Sequence, residues 1–156
     1  ALEDYERKQA QVTKISNLLS AKPDAIVDAV ARIKQENADR EYQINQLYQQ
    51  LFQAKAEKLP ARSGLLCLYE EGLTPVQLRN YCTLLYEQKK GDVVLVCSGN
   101  DGRIQYALGS AVEDMRTLSR EMNERLHGKG GGSALMAQGT WETTWQEVEN
   151  ACRERG

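Results

Sequence analysis

Gly128-Lys129-Gly130-Gly131-Gly132-Ser133, followed by Ala134-Leu135-Met136-Ala137-Gln138-Gly139, is the stretch on which the reading of this chain turns. Consecutive glycines expose backbone N–H groups with no Cβ in the way, so an anion can approach the chain closely, and Lys129 adds a positive charge. The same residues also suit a helix cap at Gly128 followed by a flexible turn. Neither a Walker phosphate loop nor a dinucleotide fingerprint fits, because both place their glycines between a strand and the start of a helix. Here a helix precedes them.

That helix is expected over Glu113 to Leu126, with Met115, Leu118, Met122 and Leu126 inward and Glu113-Asp114 at its positive amino end. Downstream, a strand near Leu135 to Trp141 leads into a helix from about Thr144 to Arg153. Upstream, Asn100-Asp101-Gly102 is a tight-turn signal between two apolar runs, Asp92 to Ser98 and Arg103 to Leu108, which should pair antiparallel. Thr74-Pro75 opens a helix through Leu78, Tyr81, Cys82, Leu85 and Tyr86, and Lys89-Lys90-Gly91 closes it. Gly64 to Tyr69 reads as a buried strand before it. The order β-α-β-β-α-β-α describes an α/β (α+β) domain with a small mixed sheet packed with helices, expected over residues 62–156 with a glycine-rich loop.

Before Pro60-Ala61-Arg62-Ser63 the pattern is different, and residues 1–61 are expected to form a helical arm. From Ile26 the apolar residues keep a seven-residue rhythm, with Ile26, Ile33 and Leu47 in one column and Val30, Ile44 and Leu51 in the other. That is a coiled-coil seam, interrupted by Asn37 and Arg40. A shorter amphipathic helix marked by Tyr5, Val12, Ile15 and Leu19 precedes it, and Ser20-Ala21-Lys22-Pro23 breaks the two apart. Two arrangements satisfy the uncovered seam: a homodimer through Ile44, Leu47 and Leu51, or a long helix folded back on the globular domain.

Composition limits what such a chain does. With 156 residues, 41% hydrophobic and 27% charged, it holds one compact domain plus an appendage. No apolar run approaches the ~20 residues of a membrane span, so no membrane partner is expected. The charged amino terminus is unlike a signal peptide, which leads to the expectation of a cytoplasmic protein. It begins at Ala1, inside an expected helix, and is therefore read as a piece of a longer protein.

Catalysis is not expected within it. The four cysteines, Cys67, Cys82, Cys97 and Cys152, form no Cys-x-x-Cys pair, and His127 is the one histidine, so neither a metal site nor a histidine-dependent nucleophile is expected, and no cofactor. A net charge of −2 gives no global attraction for nucleic acid, so any such contact has to be local.

The glycine triplet followed by Met136-Ala137-Gln138-Gly139, together with the element order, resembles the DHH-associated domain of the alanyl-tRNA synthetase family, in which a Gly-Gly-Gly segment precedes an Ala-Gln or Val-Gln pair. Phosphoesterases with the same domain usually carry histidine directly after the glycines, where this chain has Ser133. Asn17-Leu18-Leu19-Ser20 to Pro23 before a long helix further resembles the long-form freestanding alanyl-tRNA editing proteins. The resemblance implies a non-catalytic C-terminal module that binds the elbow of tRNA, in particular alanine tRNA, and that often dimerises. It implies that any editing chemistry, with its zinc, resides upstream, in an aminoacyl-tRNA hydrolase or an alanine–tRNA ligase.

On this resemblance Lys129, Gly130, Gly131 and Gly132 are the candidate RNA contacts. Arg116, Arg120 and Arg125 join them on the reading of the preceding helix alone, where Arg116 and Arg120 stand one turn apart. Tyr81, Tyr86 and Trp141 are candidates for stacking on bases, or for the core. Two other functions stay open: the substrate-binding half of a DHH-family phosphoesterase, and a purely structural oligomerisation module.

Overall fold

The computed structural model describes all of residues 1–156 and divides them into two units, Ala1–Gln46 and Leu47–Gly156. In the first unit, helix α1 (Leu2–Leu19) ends where Ser20 takes a left-handed conformation, φ 49°, and the Ala21 N–H bonds back to the Ser16 carbonyl. A short 3-10 turn, Pro23–Ala25, then leads into helix α2 (Ile26–Lys58), with proline at its first turn where a missing N–H costs nothing. Helix α1 buries no residue, and Val30, Ile33 and Ile44 of the α2 seam are exposed. No helix is long and apolar enough to cross a membrane.

The second unit is a five-stranded sheet in the order β1-β2-β3-β5-β4. Strand β1 (Leu65–Tyr69) lies parallel to β2 (Val93–Asn100), with helix α3 (Pro75–Glu87) as the crossover between them. Strand β3 (Arg103–Ser110) returns antiparallel along β2, joined through Asp101-Gly102. Gly102 alone of that pair has a positive φ, and the Asp101 carboxylate accepts the Trp145 N–H. Helix α4 (Met115–Arg125) follows, then β4 (Gly128–Gly132), β5 (Met136–Trp141) and helix α5 (Trp145–Arg155).

Helix starts are chemically marked. Thr74 with Gln77, and Thr144 with Glu147, form reciprocal capping boxes at α3 and α5, and the Asp114 carboxylate accepts the Arg116 N–H at α4. Strand β2 is buried on both faces from Val93 to Ser98, as a central strand with helices above and below must be. On one face Leu95, Cys97, Tyr106, Leu108 and Trp141 pack under α4 and α5. On the other, Val94, Val96 and Ala107 pack under α3 and the last turns of α2.

Two expectations change here. The glycine segment is not a loop but an edge strand, so the order is β-α-β-β-α-β-β-α. Glycine is a poor strand former, and what holds it is the Ser133–Met136 turn, in which the Ser133 N–H bonds the Met136 carbonyl and the Met136 N–H bonds the Ser133 hydroxyl. The carbonyls of Ala134 and Leu135 in that turn accept the N–H groups of Met115 and Ser110, fixing it to the start of α4. The helix cap moves as well: His127, with φ 54°, takes the left-handed position expected of Gly128.

The second change concerns the end of α2. Phe52 is 2% exposed and stacks on Tyr81, ring centroids 4.3 Å apart, while Ala56 is fully buried beside it. Leu47 and Leu51, on the seam, are 64% and 46% exposed. The last turns of α2 thus fold back on the sheet by a face that the heptad seam does not use.

Candidate nucleic-acid interface

Bonded rungs of the β4–β5 pair occur at odd positions of β4. The His127 carbonyl accepts the Glu142 N–H at one end, and the Ser133 N–H reaches the Met136 carbonyl at the other. Antiparallel alternation therefore turns the N–H and C=O groups of Gly128, Gly130 and Gly132 away from β5, toward the free edge of the sheet. The Gly130 carbonyl there accepts the Asn123 side-chain amide at 3.4 Å. The N–H groups of Gly130 and Gly132 are left facing outward, as donors along an open edge.

Those donors border a groove of about 430 Å³ between α4 and β4, lined among others by Arg116, Ser119, Arg120, Asn123, Gly130 and Gly132. Glycine is required at Gly128, Gly130 and Gly132 because strand β5 and the Tyr106 and Trp141 side chains lie so close. A Cβ on Gly130 would stand 2.3 Å from the Gln138 carbonyl oxygen and 2.6 Å from the Tyr106 hydroxyl, and one on Gly128 would stand 2.2 Å from the Trp141 ring. The floor is a rigid polar network: Tyr106 Oη lies 2.9 Å from Ser119 Oγ and donates to Asn123 Oδ1 at 3.0 Å. Trp141 Nε1 donates to the same Asn123 oxygen at 2.9 Å. Burial pushes the Tyr106 hydroxyl above its ordinary pKa, so it stays a neutral donor at physiological pH.

Of the residues singled out in the sequence, Arg116, Arg120 and Gly130, Gly131 and Gly132 come together in this groove. Arg125 does not line it; its guanidinium pairs with Glu154 of α5. Lys129 shares its rung with Thr140 and Gln105, so it leaves the strand on the opposite face, the one that carries α3. The stacking candidates are core residues: Tyr81 is 1% exposed against Phe52, and Trp141 is fully buried on Tyr106, centroids 4.0 Å apart. Tyr86 is half-buried against the α3 face of the sheet. Ser119 and Asn123 escaped the sequence reading, although two polar residues four apart within the inward stripe of α4 were a visible sign of a buried network.

The two arginines differ in readiness. The Arg116 guanidinium is clamped on Asp114, with Nη2 to Oδ2 at 2.6 Å and Nε to Oδ1 at 3.0 Å, and that hydrogen bonding holds the Asp114 carboxyl down to a pKa of about 2. A depressed carboxylate keeps its charge at every pH above that value, so its attraction for Arg116 is present throughout the neutral range and is lost as pH falls through about 2. Arg120 forms no salt bridge and stands free at the groove. Asp114 thus competes with any incoming anion for Arg116. Asp114→Asn retains a capping side chain while removing the charge, and is expected to raise affinity for tRNA roughly 2- to 5-fold at low salt, measured by filter binding.

Against known families, residues 62–154 match the DHHA1 domain. The chain belongs to that family. It is 26% identical over 152 residues to the alanine–tRNA ligase of Psychrobacter sp. (strain PRwf-1), which covers 89% of this chain and 17% of the ligase. With the alanine–tRNA ligase of Acholeplasma laidlawii (strain PG-8A) the identity is 31% over 72 residues, 46% of this chain and 8% of that one. This DHHA1 chain therefore spans less than a fifth of the length of the curated relatives it matches. Among solved structures it is similar to the C-Ala domain from Aquifex aeolicus alanyl-tRNA synthetase, with a TM-score of 0.48 and 25% identity over 60% of this chain and 89% of that domain.

Proposed function

We propose that this chain is a non-catalytic, tRNA-binding accessory module of a cytoplasmic alanine–tRNA ligase or alanyl-tRNA editing protein, and that the α4–β4 groove receives a backbone phosphate. The observation that carries this reading is the pairing of outward N–H donors on Gly130 and Gly132 with the free guanidinium of Arg120 across one groove. Backbone amides and arginines position RNA through its phosphates without reading sequence, which suits a module that presents a charged tRNA to chemistry located elsewhere. The similarity to alanine–tRNA ligases favours alanine tRNA as the ligand. Titrating the chain with tRNA across a range of salt tests this. Log affinity should fall with log salt at a slope of about −3 to −4, the signature of four or five phosphate contacts. An affinity independent of salt contradicts it.

Dimerisation is the companion proposal, with a second copy of this chain as the occupant of the exposed seam. Ile44, Leu47 and Leu51 remain 47%, 64% and 46% exposed on α2 after Phe52 and Ala56 of the same helix have found their places. A heptad stripe is complementary to itself, so two copies can meet by the same surface. Leu47→Asp with Leu51→Asp is expected to convert a dimer into a folded monomer in analytical ultracentrifugation. A parent chain that sediments as a monomer at roughly tens of micromolar would contradict the dimer.

A further inference from the structure

Outside the groove, the chemistry of the chain concentrates at the other edge of the sheet, where α5 crosses β1. Cys67 of β1 and Cys152 of α5, 85 residues apart in sequence, bring their sulfurs to 3.2 Å in hydrogen-bond contact. Both are free thiols, and both line an open surface cavity of about 270 Å³ rimmed by Arg62, Trp145 and Arg153. The other two cysteines are sealed: Cys82 and Cys97 are wholly buried in the two cores, and burial raises both thiols far above their ordinary pKa.

We propose that Cys67 and Cys152 are a reversible redox site, which a peroxide oxidises to a disulfide that staples α5 to the edge strand β1. Contact between the sulfurs is the geometric requirement, since only a small approach separates 3.2 Å from the ~2.05 Å of an S–S bond. The cavity admits an oxidant of the size of hydrogen peroxide. Cys152 is the attacking thiol: its hydrogen bond with Cys67 lowers its pKa, aided by the charge of Arg125, against burial and Glu149. Its thiolate attacks one peroxide oxygen, the O–O bond breaks, and Cys152 becomes a sulfenic acid while the departing hydroxide takes up a proton as water. Cys67 then gives up its proton and attacks the sulfenic sulfur, forming the S–S bond and releasing a second water. Two thiols and one peroxide yield one disulfide and two waters, and the peroxide is the oxidant reduced.

The test treats the full chain with hydrogen peroxide, denatures it in the presence of a maleimide and maps the peptides by mass spectrometry without reductant. The expected result is two blocked thiols, at Cys82 and Cys97, and one linked peptide pair containing Cys67 and Cys152, restored to four thiols by dithiothreitol. Because the bridge closes a long loop, the oxidised chain should melt about 5–10 °C higher than the reduced one. In Cys67→Ser the linked peptide should vanish and a dimedone adduct appear on Cys152. Four free thiols after a dose that oxidises free cysteine would overturn the proposal. So would a bridge to Cys97, a bridge between two chains, or a dimedone adduct on Cys67 alone.

Discussion

Arg116→Glu combined with Arg120→Glu should lower affinity for tRNA roughly 100-fold at about 50 mM salt and flatten the salt slope by about one unit, while far-UV dichroism and the melting temperature barely move. Each reversal removes one cation from the groove and adds an anion beside the outward N–H groups of Gly130 and Gly132, so a phosphate loses attraction and gains repulsion at the same place. Both side chains are exposed on α4, and the inward stripe of Met115, Leu118 and Met122 is untouched. Arg116 contributes less than Arg120, because Asp114 already holds it. The two single variants should therefore rank with Arg120→Glu the weaker binder. Filter binding over a salt series reads all three. Unchanged affinity in the double variant removes the groove from RNA recognition.

Phe52→Ala should destabilise the second unit by about 3–5 kcal/mol, the usual cost of emptying a buried aromatic site. Phe52 is 2% exposed, stacks on Tyr81 at an interplanar angle of 11° and touches Tyr48 at 5.5 Å between ring centroids. Tyr81, itself 1% exposed, would line the resulting cavity on the α3 side. Urea unfolding followed by tryptophan fluorescence measures the loss, since Trp141 is fully buried in the sheet. A cost below about 1 kcal/mol would mean that the last turns of α2 are not part of this core.

These two sites show what the sequence made legible. The helices α3, α4 and α5 were readable because their inward stripes and capping residues, Thr74, Asp114 and Thr144, are local signals. The β2–β3 hairpin was readable from two apolar runs around Asp101-Gly102. Strand β4 was not, since glycine carries no strand propensity, and its pairing depends on β5 and on the turn that Met115 and Ser110 hold in place. At the end of α2 two periodicities overlap. Leu47 and Leu51 continue the heptad, while Tyr48, Phe52 and Ala56 form an i, i+4 stripe on another face, and the heptad masked the stripe that is buried.

The site was legible in part for the same reason. Arg116 and Arg120 could be paired from their one-turn spacing, and the glycines from their run, but which glycines point their N–H groups outward depends on register. Lys129 went to the other face because strand alternation, set by the bonded rung with Thr140, decides its direction.

Heteronuclear NMR of the isotope-labelled chain, titrated with tRNA at low salt, reads phosphate binding at the atoms of the groove. The amide resonances of Gly130 and Gly132, with the Arg120 side chain, should show the largest changes and return as salt is raised. Silent glycine amides, with the changes gathered instead on the α3 face around Gln105 and Thr140, would contradict it.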